Sequence, residues 1–352
     1  MGMVRGVTVA QLGEFDEIID VRSPAEFADD HIPGAISAAV LDNEQRTQVG
    51  TLHKQVSPFA AKKVGSALIA RNIAHHLETQ FADRPKSWRP LVYCWRGGQR
   101  SGAMAHILAQ VGWSVGKLEG GYKTYRHHVL AELERLPATL DFRVVCGPTG
   151  SGKSRLLQAL AAQGAQVLDL EALAEHRGSL LGSLPGQPQP AQRLFETRIW
   201  DALHRFKSTG PVFVEAESRK IGFLNVPNTL LARMRASKTL QLTASARLRI
   251  QLLREDYAHF LENPAELLAN LERLTSLHGR EQIAQWHALA KQGEWDALVT
   301  SLLEDHYDPA YFRSTNSNFP PPKAENCHTI SRLPDVESLA RTLIANTASG
   351  TV

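Results

Sequence analysis

Apolar positions along the first 140 residues fall into short runs separated by helix-spaced segments. EIIDV (residues 17–21) and RPLVYC (89–94) are apolar runs of strand length. Between them, Ala67, Leu68, Arg71 and His75 follow the turns of one helix. AMAHILAQVGW (103–113) predicts a helix closed by Gly112, and SVGKL a short strand. A Gly-Gly turn then leads into the helical stretch YKTYRHHVLAELERL. Strands alternating with helices predict a parallel sheet covered on both faces. LPATLDF (136–142) marks a boundary, and FRVVC opens a second α/β unit. Its further strands are AQVLDL, PVFVEAE and KTLQLTA. GSLPGQPQP (182–190), with three prolines, reads as a loop. From Ala246 to about His306 the pattern is helical without a strand signal. STNSNFPPPKAEN is a polar, proline-rich segment, followed by one strand-like piece and a last helix. The expected organisation is a domain at 5–135, a second α/β core at 141–245, and a mostly helical extension at 246–352 that completes it.

Composition narrows the class. Hydrophobic residues make up 43% of the 352 and charged residues 21%, ordinary values for globular domains. Global disorder and collagen-like architecture are excluded. Three cysteines (Cys94, Cys146, Cys327) form no CxxC pair, which argues against a disulfide scaffold and a cysteine-rich zinc site. No metal-ligand set is expected. No apolar run approaches the roughly 18 residues that would cross a bilayer, so a cytoplasmic protein without membrane contact is the expectation. The net charge of +3 is unevenly spread: residues 141–260 carry +6 and residues 261–352 carry −5. A polyanionic partner would be steered to the middle third.

Two motifs carry chemistry. Cys94 ends an apolar strand and opens CWRGGQRSG, which runs into a helix. Such a loop can turn successive backbone N–H groups inward while the helix N-terminus adds its positive dipole end. Gly97 and Gly98 permit the tight backbone, and Arg96 and Arg100 add fixed charge. A thiol there is expected to have a lowered pKa and to act as a thiolate nucleophile. Arg96, Gly97, Gly98, Arg100 and Ser101 are therefore candidate anion-binding residues. The spacing Cys94-x5-Arg100-Ser101 is shared with cysteine-dependent phosphatases, so the loop alone leaves phosphatase and sulfurtransferase chemistry open. DVRSPAEFADDHIPGA (20–35) resembles the opening signature of rhodanese-family sulfurtransferases, and LEGGYKTYR (118–126) resembles the segment after their active-site helix. The resemblance implies a rhodanese-like fold, with Asp20, Arg22, Glu26 and His31 in structural roles.

The second motif, GPTGSGKS (147–154), matches G-x4-G-K-S/T between a strand and a helix. Gly147, Gly150, Ser151, Gly152, Lys153 and Ser154 are candidate diphosphate-binding residues, and Ser154 could hold Mg²⁺. The loop reads phosphates rather than bases, so any diphosphate is admissible. Glu215 and Glu217, ending a strand, are candidates for a nearby metal-holding or basic carboxylate; ion pairing with Arg219 and Lys220 is the alternative. Asp169 and Arg177 could reach the same cleft. Arg247, Arg249 and Arg254 recur along one helical stretch, as a phosphate clamp, a nucleic-acid face or a solvated face.

YCWRGGQRS, GPTGSGKS, DLEALAEHRGS (169–179), VEAESRKIGFLNVP (214–227) and VGTLHKQVSPFAAKKVGSALIA (49–70) together resemble the bacterial tRNA 2-selenouridine synthase family. That resemblance implies a rhodanese-like parallel-sheet domain joined to a P-loop NTPase-like α/β domain. It further implies a tRNA-modifying transferase acting at the wobble uridine. Selenophosphate and geranyl diphosphate would be substrates, with no tightly bound cofactor, and S-geranylation would be linked to exchange of sulfur for selenium. The competing expectations are an ATP-driven kinase or ATPase carrying a persulfide-sensing or phosphatase module, and a non-catalytic tRNA-binding module.

Overall fold

The computed structural model describes residues 2–348. The chain divides into two compact units: Met1–Glu132 with Ala191–Asp201, and Leu133–Pro190 with Ala202–Val352.

The first unit contains β1 (Val4–Val7), β2 (Glu17–Asp20), α1 (Pro24–Asp29), β3 (Ile36–Ser37), α2 (Asn43–Gln55), α3 (Pro58–Glu78), β4 (Pro90–Tyr93), α4 (Gln99–Val111), β5 (Val115–Leu118) and most of α5 (Gly121–Arg135). Its five strands are parallel in the order β1-β5-β4-β2-β3. Central β4 is buried at every position, which is why its sequence is an unbroken apolar run. Ile19, Val92, Met104, Leu108, Trp88 and Trp113 belong to the core beneath. Helix starts follow local chemistry. Ser23 and Glu26 form a capping box around Pro24, and Asp42 caps α2 by accepting from the Gln45 amide. Asp20 and Arg22 form a buried ion pair at 2.6 Å, with Arg22 stacked 4.0 Å over Tyr122. His31 packs on Phe27 and its Nδ1 lies 2.9 Å from the Phe27 carbonyl oxygen, a structural placement.

The second unit begins with β6 (Phe142–Cys146), α6 (Lys153–Ala162), β7 (Gln166–Leu168) and α7 (Leu170–Ala174). Helix α8 (Gln192–Arg205) gives its residues up to Asp201 to the first unit. Then follow β8 (Val212–Glu215), the hairpin β9 (Lys220–Ile221) and β10 (Leu224–Asn225), α9 (Asn228–Arg235) and β11 (Lys238–Ala244). Helices α10 (Ala246–Asp256), α11 (Ala258–Glu262), α12 (Pro264–Glu272), α13 (Thr275–Gln292), α14 (Trp295–Leu302) and α15 (Asp308–Asn318) form a helical block, with a π-helical turn at Leu303–Tyr307. β12 (Cys327–Ile330) and α16 (Leu333–Ala348) close the unit. Five parallel strands run β12-β11-β6-β8-β7. One core lies on this sheet, around Val145, Leu160 and Leu242; another fills the helical block around fully buried Trp286.

The expected α/β architecture, with two parallel sheets and a helical C-terminal part, is what the chain adopts. The polar segment after Arg313 differs in detail. Ser314–Asn318 continue α15, with Ser317 Oγ donating to the Arg313 carbonyl and Asn318 Nδ2 to the Ser314 carbonyl. The helix stops at Phe319, just before three prolines.

Candidate functional site

In both sheets the singled-out residues stand where parallel strands deliver their C-terminal ends, the edge at which open α/β sheets hold ligands. In the first unit β4 delivers Cys94. The loop Cys94–Gly98 then turns into the N-terminus of α4. Two facing glycines make that turn possible. Gly97 has φ +64°, and Gly121 has φ +62° with its Cα against the loop. A Cβ at Gly121 would sit 2.2 Å from the Cys94 carbonyl oxygen and 2.5 Å from the Gly97 nitrogen. The loop is tied down by Tyr122 N donating to the Cys94 carbonyl (2.8 Å) and Lys123 N to that of Trp95 (3.0 Å).

Cys94 is only 3% exposed, beneath this loop. Burial pushes its thiol up. Hydrogen bonds from the Ser101 hydroxyl and amide, the nearby Arg100 charge and the Arg96 amide outweigh that and hold it below the ordinary thiol value. Ser101, fully buried, places its Oγ 3.2 Å from the sulfur and 3.3 Å from the Gly98 carbonyl oxygen. It touches the thiol itself, from below the loop. Arg100 is forked onto Glu26 at 2.6 and 3.3 Å, so its guanidinium is committed to a carboxylate rather than standing free in the loop. Arg96, Gly98 and Gln99 are the exposed members of the stretch.

In the second unit β6 delivers Gly147–Gly152, and Lys153 starts α6. Lys153 Nζ donates to the Gly147 carbonyl at 2.7 Å. Arg249 holds the crest of the loop: its guanidinium donates twice to the Thr149 carbonyl and pairs with Asp308. Of the three arginines considered on α10, Arg249 meets the loop through its backbone, Arg254 pairs with Asp296, and Arg247 is exposed.

The register brings the neighbouring strand ends level with this loop: Val145 pairs with Glu215, and Leu168 with Val214. Asp169 caps α7 through the Ala172 amide at 2.8 Å. Glu215 is buried and accepts from the Glu171 amide at 2.8 Å, leaving its other oxygen without a partner. Ser154 Oγ donates to Glu171 at 3.3 Å. Glu171 lies at the centre of this cluster although the sequence reading passed over it; its signal was its position two residues past Asp169. Glu217 lines the cavity and makes no ion pair with Arg219 or Lys220, which are both exposed.

Burial raises all four carboxyls, and mutual repulsion adds to it at Glu215 and Glu217. Glu217 is pushed up to about 8. Lys153 opposes the shift at Glu171 and Glu217. The glycine-rich loop and the Lys153 charge thus sit against carboxyls whose proton affinity burial has raised. Cys146, at the foot of the loop, has its thiol pushed up to about 12 by burial and is no nucleophile.

The cavity at this loop measures about 380 Å³. Thr149–Arg155, Glu171, Arg177, Glu217 and Tyr257 are among its walls, with Arg177 stacked over the Tyr257 ring at 5.1 Å. It adjoins an apolar cavity among the C-terminal helices, walled by Phe260, Leu267, Trp295, Leu298 and Leu302. Thr149, Leu253, Tyr257 and Tyr307 line both. Among the described residues no group of three or more His, Cys, Asp or Glu could hold a metal ion by itself. No helix among them is long and apolar enough to cross a membrane.

Residues 140–320 match the model of the tRNA 2-selenouridine synthase AAA domain, and residues 8–128 that of the rhodanese-like domain. Proteins named tRNA 2-selenouridine synthase are similar over most of the chain. The one from Alcanivorax borkumensis is 32% identical over 331 residues, covering 84% of this chain and 88% of the relative. That from Marinobacter nauticus is 32% identical over 330 residues, covering 84% and 87%. That from Nitrosomonas europaea is 34% identical over 244 residues, covering 68% and 63%.

Proposed function

The chain belongs to the tRNA 2-selenouridine synthase family, and on that premise we propose that it replaces the sulfur of wobble 2-thiouridine in tRNA with selenium. In this reading selenophosphate is the donor and S-geranylation from geranyl diphosphate is a linked step. One observation carries the second half: the phosphate-loop cavity opens beside an apolar cavity, with four residues lining both. The apolar cavity measures about 70 Å³, so it receives the near end of a hydrocarbon tail behind a diphosphate head and has to widen among the C-terminal helices to take the rest.

The chemistry follows from charge. The thiocarbonyl sulfur attacks the first carbon of the geranyl chain, and the carbon–oxygen pair of electrons leaves with diphosphate. Lys153 and the amides of residues 150–154 stabilise that departing charge. Ser154 and Glu171 are the groups that would hold Mg²⁺ together with substrate oxygens, the mode Mg²⁺ favours. Alkylation turns the sulfur into a better leaving group. The selenium of selenophosphate then adds at C2, the carbon–sulfur pair of electrons leaves with geranyl thiolate, and water cleaves the selenium–phosphorus bond to release inorganic phosphate and leave selenium on C2. Cys94 engages the selenium donor, whose phosphate meets the amides of residues 95–100 and exposed Arg96. Arg100 reaches that phosphate only by exchanging Glu26 for it.

The test is direct. Purified chain is incubated with a 2-thiouridine-containing anticodon stem-loop RNA and geranyl diphosphate, and the RNA is weighed by mass spectrometry. A mass increase of one geranyl group is expected. Rapid ATP hydrolysis with no such product overturns the geranyl reading in favour of an ATPase.

A further inference from the structure

The hairpin β9–β10 grows directly out of the wall of the phosphate-loop cavity, since Ala216, Glu217 and Ser218 line that cavity and Lys220 begins the hairpin. Ile221 and Leu224 face each other across it, both fully buried, and they hold it to the unit. Lys220 and Asn225 form the other pair and are exposed. The turn between them is Gly222-Phe223, and Phe223 is 64% exposed.

This turn is pinned. Gln189 donates to the Ala174 and Ile221 carbonyls and accepts from the Phe223 amide at 3.0 Å. Gly222 has φ +58°, and a Cβ there would fall 1.9 Å from the Gln189 oxygen. Ser218 closes the base of the ribbon by donating to the Lys220 carbonyl, and Val226 N donates to that of Arg219. The backbone under Phe223 is therefore fixed, while most of the residue stands in solvent and Ile221 and Leu224 supply the buried packing. Arg219 and Lys220 present their charges to solvent beside it.

The geometry points to Phe223 as a stacking platform for an unpaired base of the RNA substrate, with Arg219 and Lys220 on the adjoining phosphates. The inference rests on the reading of this chain as a tRNA-modifying enzyme and assigns the element that grips the loop. Single-stranded nucleic acid is held by an aromatic face beside a positively charged track, and RNA loops are the places where bases are free to stack. Phe223 follows Ser218 by five positions, a chain distance of at most about 18 Å. A base stacked there keeps the neighbouring nucleotides of the same loop near the diphosphate cavity. A pinned aromatic loses little freedom on binding, so the contact is pre-organised.

Binding of a fluorescent anticodon stem-loop RNA, followed by anisotropy across a salt series, tests this. Phe223→Ala is expected to weaken binding roughly tenfold without lowering Tm. Phe223→Trp is expected to restore it and Phe223→Leu to leave it weak. Arg219→Ala and Lys220→Ala should each reduce the slope of log K against log salt by about one. A fully paired RNA of the same length should bind the native chain and Phe223→Ala alike. Native-like loop binding by Phe223→Ala, or full rescue by Phe223→Leu, overturns the platform while the tRNA reading stands. Failure of the native chain to bind the stem-loop at all overturns both.

Discussion

Cys94 is a thiol held between opposing effects. Burial disfavours its charge, while the Ser101 hydroxyl, two amides and the Arg100 charge favour it, and the second group wins. Removing the strongest of those contacts should reverse the balance. Ser101→Ala is expected to move the midpoint of the pH profile for Cys94 alkylation upward, measured with iodoacetamide on a variant whose other two cysteines are replaced by alanine. An unchanged midpoint would show that Ser101 does not tune the sulfur. Glu217 offers a second test. Its carboxyl is raised in the folded chain, from 4.5 to about 8. A raised carboxyl binds its proton more tightly when folded, so its contribution to stability is complete below the unfolded value and fades as pH climbs through the folded one. Glu217→Gln should therefore raise Tm by a few degrees at pH 8.5 and change it little at pH 4. Scanning calorimetry at both pH values checks the sign. Both motif residues, Cys94 and Lys153, were legible in the sequence because their loops have fixed spacing. Glu171 was not, and for Glu26 and Arg249, which the sequence does single out, the partners were not. These three reach their sites by hydrogen bonds to residues 17, 74 and 100 positions away, and no local pattern encodes such a separation.

At the scale of elements, the strands whose sequences are continuous apolar runs were readable, and KTLQLTA is β11 residue for residue. β1 was not, because three of its four residues are exposed and it lies at a sheet edge. The hairpin β9–β10 was hidden by its two-residue strands. The cysteine loop depends on an element that follows it by more than twenty residues. Gly121, at the start of α5, leaves the space that the loop backbone occupies. Gly121→Ala should displace the loop by steric contact with backbone at 2.2 and 2.5 Å. Selenium incorporation should be lost while geranylation persists at more than half its native rate, as measured on RNA in vitro. Equal retention of both activities would mean the loop geometry is not needed. The phosphate loop has its own support in Arg249, whose replacement by methionine frees the Thr149 carbonyl. Arg249→Met should raise the KM for geranyl diphosphate several-fold while leaving Cys94 alkylation unchanged.

The molecule as a whole carries a buried thiol held below its ordinary pKa in one unit and a glycine-rich loop with an adjoining apolar cavity in the other. Its basic charge is concentrated at residues 141–260, which include that loop and the exposed hairpin. The family follows from the full chain, whereas the division of labour is a statement about two sites that can be damaged one at a time. Nucleoside mass spectrometry tests that most directly. tRNA is taken from cells lacking the chain, grown with selenite, and complemented with the native protein, Cys94→Ser or Lys153→Ala, all at matched folded levels. The native protein should yield 2-selenouridine. Cys94→Ser should leave geranylated 2-thiouridine without selenium, and Lys153→Ala should deplete the geranylated nucleoside. If both variants lose both products to the same extent, the two-site account is wrong.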